Sequence, residues 1–223
     1  VETNEYYYIG DYSRRVTNWD KYPANMGVRE FYGGDLQGVM DKLDYLQELG
    51  VEVVYFNPLF VSPSNHKYDI QDYDYIDPHY GKIVDDGGEV LPDGVTDNSQ
   101  ATKYKKRTTG LKNLEASNEL FIKLVEELHR RGMKVILDGV FNHVGRDFFA
   151  FQDLKANREN ARYKDWFCDV NFWGNNEYND GFSYGNWGGF NLLVKLNQRN
   201  PEVQNYHYDT IRFWVREFDI DGI

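Results

Sequence analysis

The hydrophobic pattern is most continuous in residues 133–143, where apolar side chains surround one acidic residue. Four apolar positions flank Asp138 there: Val135, Ile136, Leu137 and Val140. Near-continuity of this kind is typical of a strand buried on both faces, as in a parallel sheet covered by helices. The same pattern puts Asp138, Asn142 and His143 at or just beyond the end of that strand. A carboxylate beside a buried strand costs free energy unless it is paired or hydrogen-bonded, so these positions predict a functional site.

Apolar residues at helical spacing predict three amphipathic helices elsewhere in the chain. The first two cover residues 36–49 after the N-cap Asp35, and residues 117–131 with Ser117 as the N-cap. The third begins at Pro201, a residue type favoured in the first turn of a helix. Its buried side is predicted to consist of Val203, Ile211, Trp214, Val215 and Phe218.

Three further strands are predicted at residues 5–11, 51–57 and 219–223, so strands and helices alternate along the chain. This alternation implies parallel strands with right-handed crossovers. Residues 82–114, which are rich in Gly and Asp, interrupt the alternation and predict a flexible insertion. Residues 145–199 have no clean periodicity and predict a small separate excursion.

Two α/β folds use such an alternation. An open doubly wound sheet would carry a Gly-rich phosphate loop in its first turn, and Gly33-Gly34 lacks the required spacing. In a (β/α)8 barrel, long loops and polar groups collect at the C-terminal ends of the strands. The sequence has both features after its second and third strands, which favours the barrel.

Composition narrows the possible partners. The chain has 223 residues with 41% hydrophobic content, enough for one sizeable core, and a formal net charge of −11. That charge argues against nucleic acid or an anionic membrane surface as partner and suits a neutral ligand. No apolar run approaches the ~20 residues of a membrane span, and no signal peptide is recognisable. The compartment stays open between cytoplasmic and secreted, and the single cysteine, Cys168, excludes an internal disulfide.

Three motifs in this order resemble the α-amylase family of glycoside hydrolases. Residues 138–143, Asp-Gly-Val-Phe-Asn-His, resemble its first conserved region. Residues 62–73 and 76–81 resemble its second-loop signature, in the form typical of the neopullulanase and cyclomaltodextrinase branch. Residues 193–197, Leu-Val-Lys-Leu-Asn, are similar to the Met-Pro-Lys-Leu-Asn element of that branch and depart from it in the first two positions. Three matches in sequence make the resemblance specific.

The resemblance implies a (β/α)8 barrel of which this chain is the N-terminal half. Barrel strands 1–3 and helices 1–2 would lie in residues 1–144, domain B in 145–199, and helix 3 with the start of strand 4 in 200–223. The implied activity is retaining hydrolysis of α-glucosidic bonds in starch-like glucans or maltodextrins, which needs two carboxyl groups ~5–5.5 Å apart. In the family the nucleophile, the acid/base and a third carboxylate follow the position of Ile223. We therefore expect the 223 residues to be inactive alone and to be ordered only with the C-terminal half.

The resemblance also assigns roles in substrate binding. Tyr68 would stack on the sugar at the cleavage site, and His143 would hydrogen-bond the same glucose. Asp69 would orient a hydroxyl or pair with a distant Arg. From the residues alone, a tyrosine-rich loop packed on itself and a histidine that caps a strand are the alternatives. Four residues would support the site: Asp138, Asn142, Lys195 and Asn197. The aromatic residues Phe141, Phe190, Trp173 and Trp187 could be sugar platforms or core, and the sequence does not decide between them.

No cofactor is expected. The resemblance implies that, in many family members, the residue at the position of Asn142 ligates a structural Ca²⁺ together with an Asp. In this chain Lys195 stands in place of that Asp. Because an ammonium group cannot ligate a hard cation, we expect no calcium at Asn142. The resemblance implies a second calcium site in some relatives near residues 33–35, and we expect none here because this loop lacks their run of Asn and Asp. The alternative function is a non-catalytic carbohydrate-binding or scaffold protein of the same fold, which would lack the downstream carboxylates.

Overall fold

The computed structural model describes residues 5–8, 11–12, 14–15, 30–31 and 34–223. Its strands are β1 (Tyr7–Tyr8), β2 (Asp11–Tyr12), β3 (Arg14–Arg15), β4 (Glu30–Phe31), β5 (Val53–Phe56), β6 (Phe60–Val61), β7 (Asp72–Ile76), β8 (Lys134–Leu137), β9 (His143–Val144), β10 (Asn186–Trp187) and β11 (Phe190–Lys195). Its α-helices are α1 (Leu36–Asp41), α2 (Leu43–Glu48), α3 (Thr102–Thr109), α4 (Leu111–Arg130), α5 (Phe149–Asn157) and α6 (Pro201–Phe218). Within these ranges, no helix has the length and apolarity that crossing a membrane requires.

Parallel pairing at the centre of the molecule confirms the predicted strand direction. Strands β5 and β8 pair in parallel along their whole lengths, from Val53 opposite Lys134 to Phe56 opposite Leu137. A further parallel bridge joins Ile136 of β8 to Gly222. In the described part of the chain, the predicted strand at residues 219–223 is therefore represented only by this bridge beside β8 and not by a full strand.

The prediction that the central strand is buried on both faces is wrong. In β8, Val135 and Leu137 are buried, whereas Ile136 is only half-buried and Lys134 is exposed. Strand β5 has the same alternation, with Tyr55 54% exposed. The inward side chains join one core with the apolar face of α4, and the described residues do not cover the other face of the pair.

The first predicted helix is confirmed with a break. Asp35 is its N-cap, and the Asp35 carboxylate accepts a hydrogen bond from the Gly38 N–H at 2.8 Å. The helix is divided at Lys42 into α1 and α2. Gly50 follows with a φ of +81°, a left-handed conformation that glycine adopts without strain.

The second predicted helix begins earlier than its sequence indicates, and Ser117 is not its N-cap. Helix α4 starts at Leu111, and Ser117 is buried inside it. Its hydroxyl donates to the Asn113 carbonyl at 2.7 Å and accepts from the Lys82 N–H at 3.0 Å. The prediction of a flexible insertion at residues 82–114 is also wrong, because α3 and the start of α4 lie within it.

The third predicted helix is confirmed at its start, where the Asn200 side chain accepts from the Glu202 N–H and Pro201 occupies the first turn. Its buried stripe differs from the prediction. Val215 is 49% exposed and Ile211 only half-buried. The residues of α6 that are buried are Val203, His207, Thr210, Trp214 and Phe218. The buried face of α6 therefore includes two polar residues, His207 and Thr210, and not the predicted Ile211 and Val215.

The first predicted strand, at residues 5–11, is not a member of the parallel sheet in the described residues. Strand β1 pairs antiparallel with β2, with Tyr7 opposite Tyr12. Ile9 and Gly10 lie outside the described residues, as does Gly33 of the predicted loop before α1.

Residues 145–199 form a unit attached to the chain that follows β8. Its sheet has the order β10-β11-β9 and is antiparallel, with Val194 opposite Val144 and Lys195 opposite His143. Helix α5 packs on it through an aromatic cluster that consists of Phe151, Phe167, Phe182 and Tyr184. Because β9 contains His143, this sheet begins at the predicted site.

Candidate active site

The loop between β6 and β7 is closed by the hydroxyl groups of two buried serines. The Ser62 hydroxyl hydrogen-bonds the carbonyl groups of Phe60 at 3.0 Å and Lys67 at 3.1 Å. The Ser64 hydroxyl accepts from the Lys67 N–H and donates to the Asp69 carboxylate. These bonds hold Tyr68 between two residues whose side chains are fully buried.

The phenol of Tyr68 contacts the acidic residue at the end of β8. Its hydroxyl donates to Asp138 Oδ2 at 2.8 Å, and this bond to a carboxylate raises the pKa of Tyr68 to about 12. A hydrogen bond to the same carboxylate raises the pKa of Tyr55 on β5. Asp138 is therefore the acceptor for two tyrosines and not a solvated loop residue, as the cost of an unpaired carboxylate predicts.

His143 is 7% exposed, and burial lowers the pKa of its imidazole, while the nearby backbone of Tyr68 acts in the opposite direction. Its Nδ1 lies 3.2 Å from the amide nitrogen of Asn142. Its Nε2 is buried without a hydrogen-bond partner among the described residues. A neutral imidazole of this kind can donate to or accept from a hydroxyl group.

A backbone contact brings the two loops together. The Gly145 N–H donates to the Ile70 carbonyl at 2.8 Å. A β-carbon at position 145 would lie 2.3 Å from the carbonyl oxygen of Asp69, so only glycine fits there. The segments that carry Tyr68 and His143 are thus adjacent, as the sequence predicted for strand ends on one edge of a sheet.

Asp69 is fully buried beside them. Burial raises the pKa of its carboxyl to about 7, although the Ser64 hydroxyl and the Lys67 charge act to lower it. Its Oδ2 has no hydrogen-bond partner within the described part of the chain. Buried polar atoms almost always have partners, so Asp69 Oδ2 and His143 Nε2 indicate a place for a hydrogen-bonding ligand.

The remaining predicted residues lie further out. Asn142 is exposed, and its carbonyl accepts from the Leu196 N–H at 3.0 Å. Lys195, also exposed, is the strand partner of His143. Asn197 instead braces the chain before α6, because its N–H donates to the Trp166 carbonyl at 2.7 Å. The structure therefore brings Asn142 and Lys195 to His143, while Asn197 supports a neighbouring loop.

The four candidate aromatic platforms lie in three different environments. Phe141 is half-buried and stacks against Trp214 of the core, with 5.6 Å between ring centroids. Trp187 and Phe190 are exposed and stacked on each other, and the Trp187 ring lies 6.1 Å from that of His143. Trp173 is 99% exposed. Phe141 therefore belongs to the core, and the pair Trp187–Phe190 flanks the site.

Sequence reasoning missed two residues of the site. His66 Nδ1 accepts from the Tyr68 N–H at 3.0 Å, and burial lowers the pKa of the His66 ring to about 4. Its place two residues before Tyr68 was the available signal. Tyr55, which contacts Asp138, was hidden in an apolar run that predicted only a strand.

Most of the chain matches one known protein family. The family profile described as "Alpha amylase, catalytic domain" matches residues 10–87 and 111–223. The unmatched residues between them include the 3₁₀ turn Asn98–Gln100 and α3. The matched part contains Tyr68, Asp138 and His143.

Three relatives illustrate the similarity. An intracellular maltogenic amylase of Bacillus subtilis is 41% identical over 88% of this chain and 26% of its own length. Neopullulanase 2 of Thermoactinomyces vulgaris is 41% identical over 86% of this chain and 26% of its own. The solved structure of a cyclomaltodextrinase is similar with a TM-score of 0.65 at 36% identity, over 86% of this chain and 27% of that one. The chain thus spans about a quarter of the length of these relatives.

Proposed function

The chain belongs to the α-amylase catalytic-domain family, and on that premise we propose that it supplies the substrate-binding wall of a retaining α-glucan hydrolase. The substrates would be starch-like glucans or maltodextrins. The observation that carries the proposal is the meeting of Tyr68, Asp138 and His143 at one end of the parallel strands. The two loops that meet there each carry a buried polar atom without a partner in the described chain, Asp69 Oδ2 and His143 Nε2.

A sugar suits this arrangement of groups. The ring of Tyr68, fixed by its bond to Asp138 at 2.8 Å, would stack on the apolar face of a glucose unit. His143 Nε2 and Asp69 Oδ2 would each bond a hydroxyl, which can act as donor or acceptor. Because burial lowers the pKa of His143, the imidazole would bind as the neutral form. A polyol therefore satisfies both buried atoms without bringing charge into the site.

The carboxyl groups that cut the bond would come from the C-terminal half of the same catalytic domain. Retaining hydrolysis needs two carboxyl groups ~5–5.5 Å apart on either side of the scissile bond. Asp138 is engaged by two tyrosines, and Asp69 is fully buried. We assign neither as nucleophile or acid, and we propose that residues 1–223 alone are inactive.

The domain organisation we propose follows the family fold. Residues 1–144 and 200–223 would form the N-terminal half of a (β/α)8 barrel, and residues 145–199 would be domain B. The parallel order of β5, β8 and the Gly222 bridge supports the first assignment. The separate antiparallel sheet and aromatic cluster of residues 145–199 support the second.

We further propose that the site works without a cofactor, without nucleic acid and without a membrane. Among the described residues, no cluster of three or more His, Cys, Asp or Glu side chains could hold a metal ion. Lys195, opposite His143 in the sheet, would put an ammonium group where the family resemblance implies, for many members, an oxygen ligand for calcium. The net charge of −11 suits a neutral glucan.

The test uses the natural protein that contains this chain. It is incubated with maltohexaose and with a cyclomaltodextrin, and the anomer first released is identified by NMR. The proposal expects α-product and a loss of about tenfold or more in kcat/KM for both Tyr68→Ala and His143→Ala, the size of one or two lost contacts. The control, Lys106→Gln, breaks only an exposed ion pair with Asp85.

Three other outcomes would overturn the proposal. Binding of both sugars without hydrolysis would favour the non-catalytic carbohydrate-binding protein. Release of β-product would exclude a retaining mechanism. Unchanged kcat/KM in both site variants would mean that the sugar binds elsewhere.

A further inference from the structure

We propose that Lys67 is a positioning residue, whose buried ammonium group holds the loop of residues 62–69 closed and so fixes Tyr68 against Asp138. This inference rests on the proposed function, because Tyr68 is the residue assigned to contact the sugar. Lys67 itself would touch no substrate, since its side chain is directed into the protein and is 2% exposed.

The ammonium group of Lys67 joins the two ends of this loop. Its Nζ donates to the Ser62 carbonyl at 2.6 Å and to Asp77 Oδ2 at 2.8 Å. The Ser62 hydroxyl returns a bond to the Lys67 carbonyl at 3.1 Å. The ring of Tyr80 lies under the charge, 5.3 Å from Nζ to its centroid. All four contacts join Lys67, near the end of the loop, to the first residue of the loop or to the chain beyond β7.

Asp77 fixes the other side of the clamp. Its Oδ2 also accepts from the Ser62 N–H at 3.1 Å, and its Oδ1 accepts from His79 Nδ1 at 2.8 Å. Although burial acts to raise it, the charges of Lys67 and His79 hold the pKa of Asp77 well below its ordinary value. The carboxylate is therefore ionised, and both side chains of the ion pair are buried.

The backbone of Lys67 supports a role for its side chain. Its φ is +62°, the left-handed conformation that glycine adopts freely and residues with a β-carbon adopt at a cost. A turn alone would thus be better served by glycine. A buried ion pair is in addition weak as a source of stability but well suited to fixing one geometry. The presence of a lysine at this position is explained if its ion pair fixes a loop geometry that the site requires.

Tyr68 depends on that geometry because it is the next residue. Its N–H donates to His66 Nδ1 at 3.0 Å, within the closed loop, and its hydroxyl reaches Asp138 at 2.8 Å. Opening the clamp would free the peptide that carries the phenol. The ring would then occupy several orientations, and a stacked sugar would have to select one of them.

A double-mutant cycle in the natural protein separates positioning from a general loss of structure. Lys67→Gly keeps the left-handed turn and removes the clamp. We expect it to lower kcat/KM on maltohexaose about tenfold, chiefly through KM, and Lys67→Arg to recover part of the loss. In a Tyr68→Ala background, Lys67→Gly should cost less than twofold. Lys106→Gln, which breaks an exposed ion pair of 3.0 Å, is the matched control.

Each outcome decides something. Equal losses from Lys67→Gly in both backgrounds, or an unchanged kcat/KM in the single variant, would overturn the positioning role alone. An unchanged kcat/KM in Tyr68→Ala would overturn the proposed site and this inference with it. If Lys67→Gly does not give a cooperative melt, the same cycle is run with Lys67→Gln, which keeps the side chain's bulk and removes its charge.

Discussion

Asp69 should make the folded protein less stable as the pH rises from 5 to 8. Its carboxyl is fully buried, and burial raises its pKa from 3.8 to about 7 against the opposing effects of Ser64 and Lys67. The folded state therefore holds this proton more tightly than the unfolded state. The resulting stabilisation is complete below the ordinary pKa of the group and is lost as the pH rises through about 7.

The size of the effect follows from the two pKa values. At about 1.4 kcal/mol for each pH unit, the titration of Asp69 lowers the free energy of unfolding, relative to its value at low pH, by about 1.5 kcal/mol at pH 5 and about 4 kcal/mol at pH 8. The replacement Asp69→Asn keeps the shape of the side chain and abolishes its titration. The stability of the variant relative to the natural protein should therefore increase by about 2.5 kcal/mol between these pH values.

Urea unfolding followed by tryptophan fluorescence at pH 5 and pH 8 measures this difference. All other titrating groups are common to both proteins and cancel in the comparison. Asp41→Asn, at an exposed position of α1, controls for the general effect of removing one negative charge. If the stability difference between Asp69→Asn and the natural protein is the same at both pH values, the account of a buried, protonated Asp69 is refuted.

Other predictions concern the frame of the site. Gly145→Ala should lower the free energy of unfolding by about 1–3 kcal/mol in urea titrations, because its β-carbon would lie 2.3 Å from a backbone oxygen of Asp69. Trp214→Phe should cost about 1–3 kcal/mol in the same assay, since it leaves a buried carbonyl of β7 without its donor at 2.8 Å. Asp221→Asn should lower the melting temperature more at pH 7 than at pH 2. Bonds from Lys134 and the Val135 N–H outweigh partial burial to hold the pKa of Asp221 low, and the stability it contributes is lost as the pH falls.

The parts of the site that the sequence predicted follow from local rules. The end of a buried strand determines where Asp138 and His143 emerge, and parallel strands bring such ends to one edge. Asn200 and Pro201 begin α6 through contacts within four residues. These features need no knowledge of distant partners, which is why a pattern of apolar and polar residues is sufficient to find them.

The parts that the sequence did not predict depend on partners distant in the chain. Ser117 has the composition of an N-cap, but Lys82, 35 residues away, binds its hydroxyl inside α4. His207 and Thr210 are polar residues that the fold buries. The apolar pattern therefore predicts Val215, and not these residues, on the buried face of α6. In each case the fold buries a polar side chain, and single-residue preference cannot register that tertiary effect.

The polar groups of the site differ in whether they are hydrogen-bonded within the described chain, and this difference suits ligand binding. The supporting groups are fully bonded: Lys67 to Asp77, and the Tyr68 hydroxyl to Asp138. Three buried side-chain atoms lack partners in the described chain: Asp69 Oδ2 and His143 Nε2, which belong to the two loops of the site, and His207 Nε2 in α6. Each unmade bond costs about 1–3 kcal/mol, a cost that a structural role alone would not explain. Sugar hydroxyls can supply the missing bonds of Asp69 and His143, so binding of a sugar would recover that free energy. The full gain requires that Tyr68 is already held in place, because ordering its ring on binding would cost free energy.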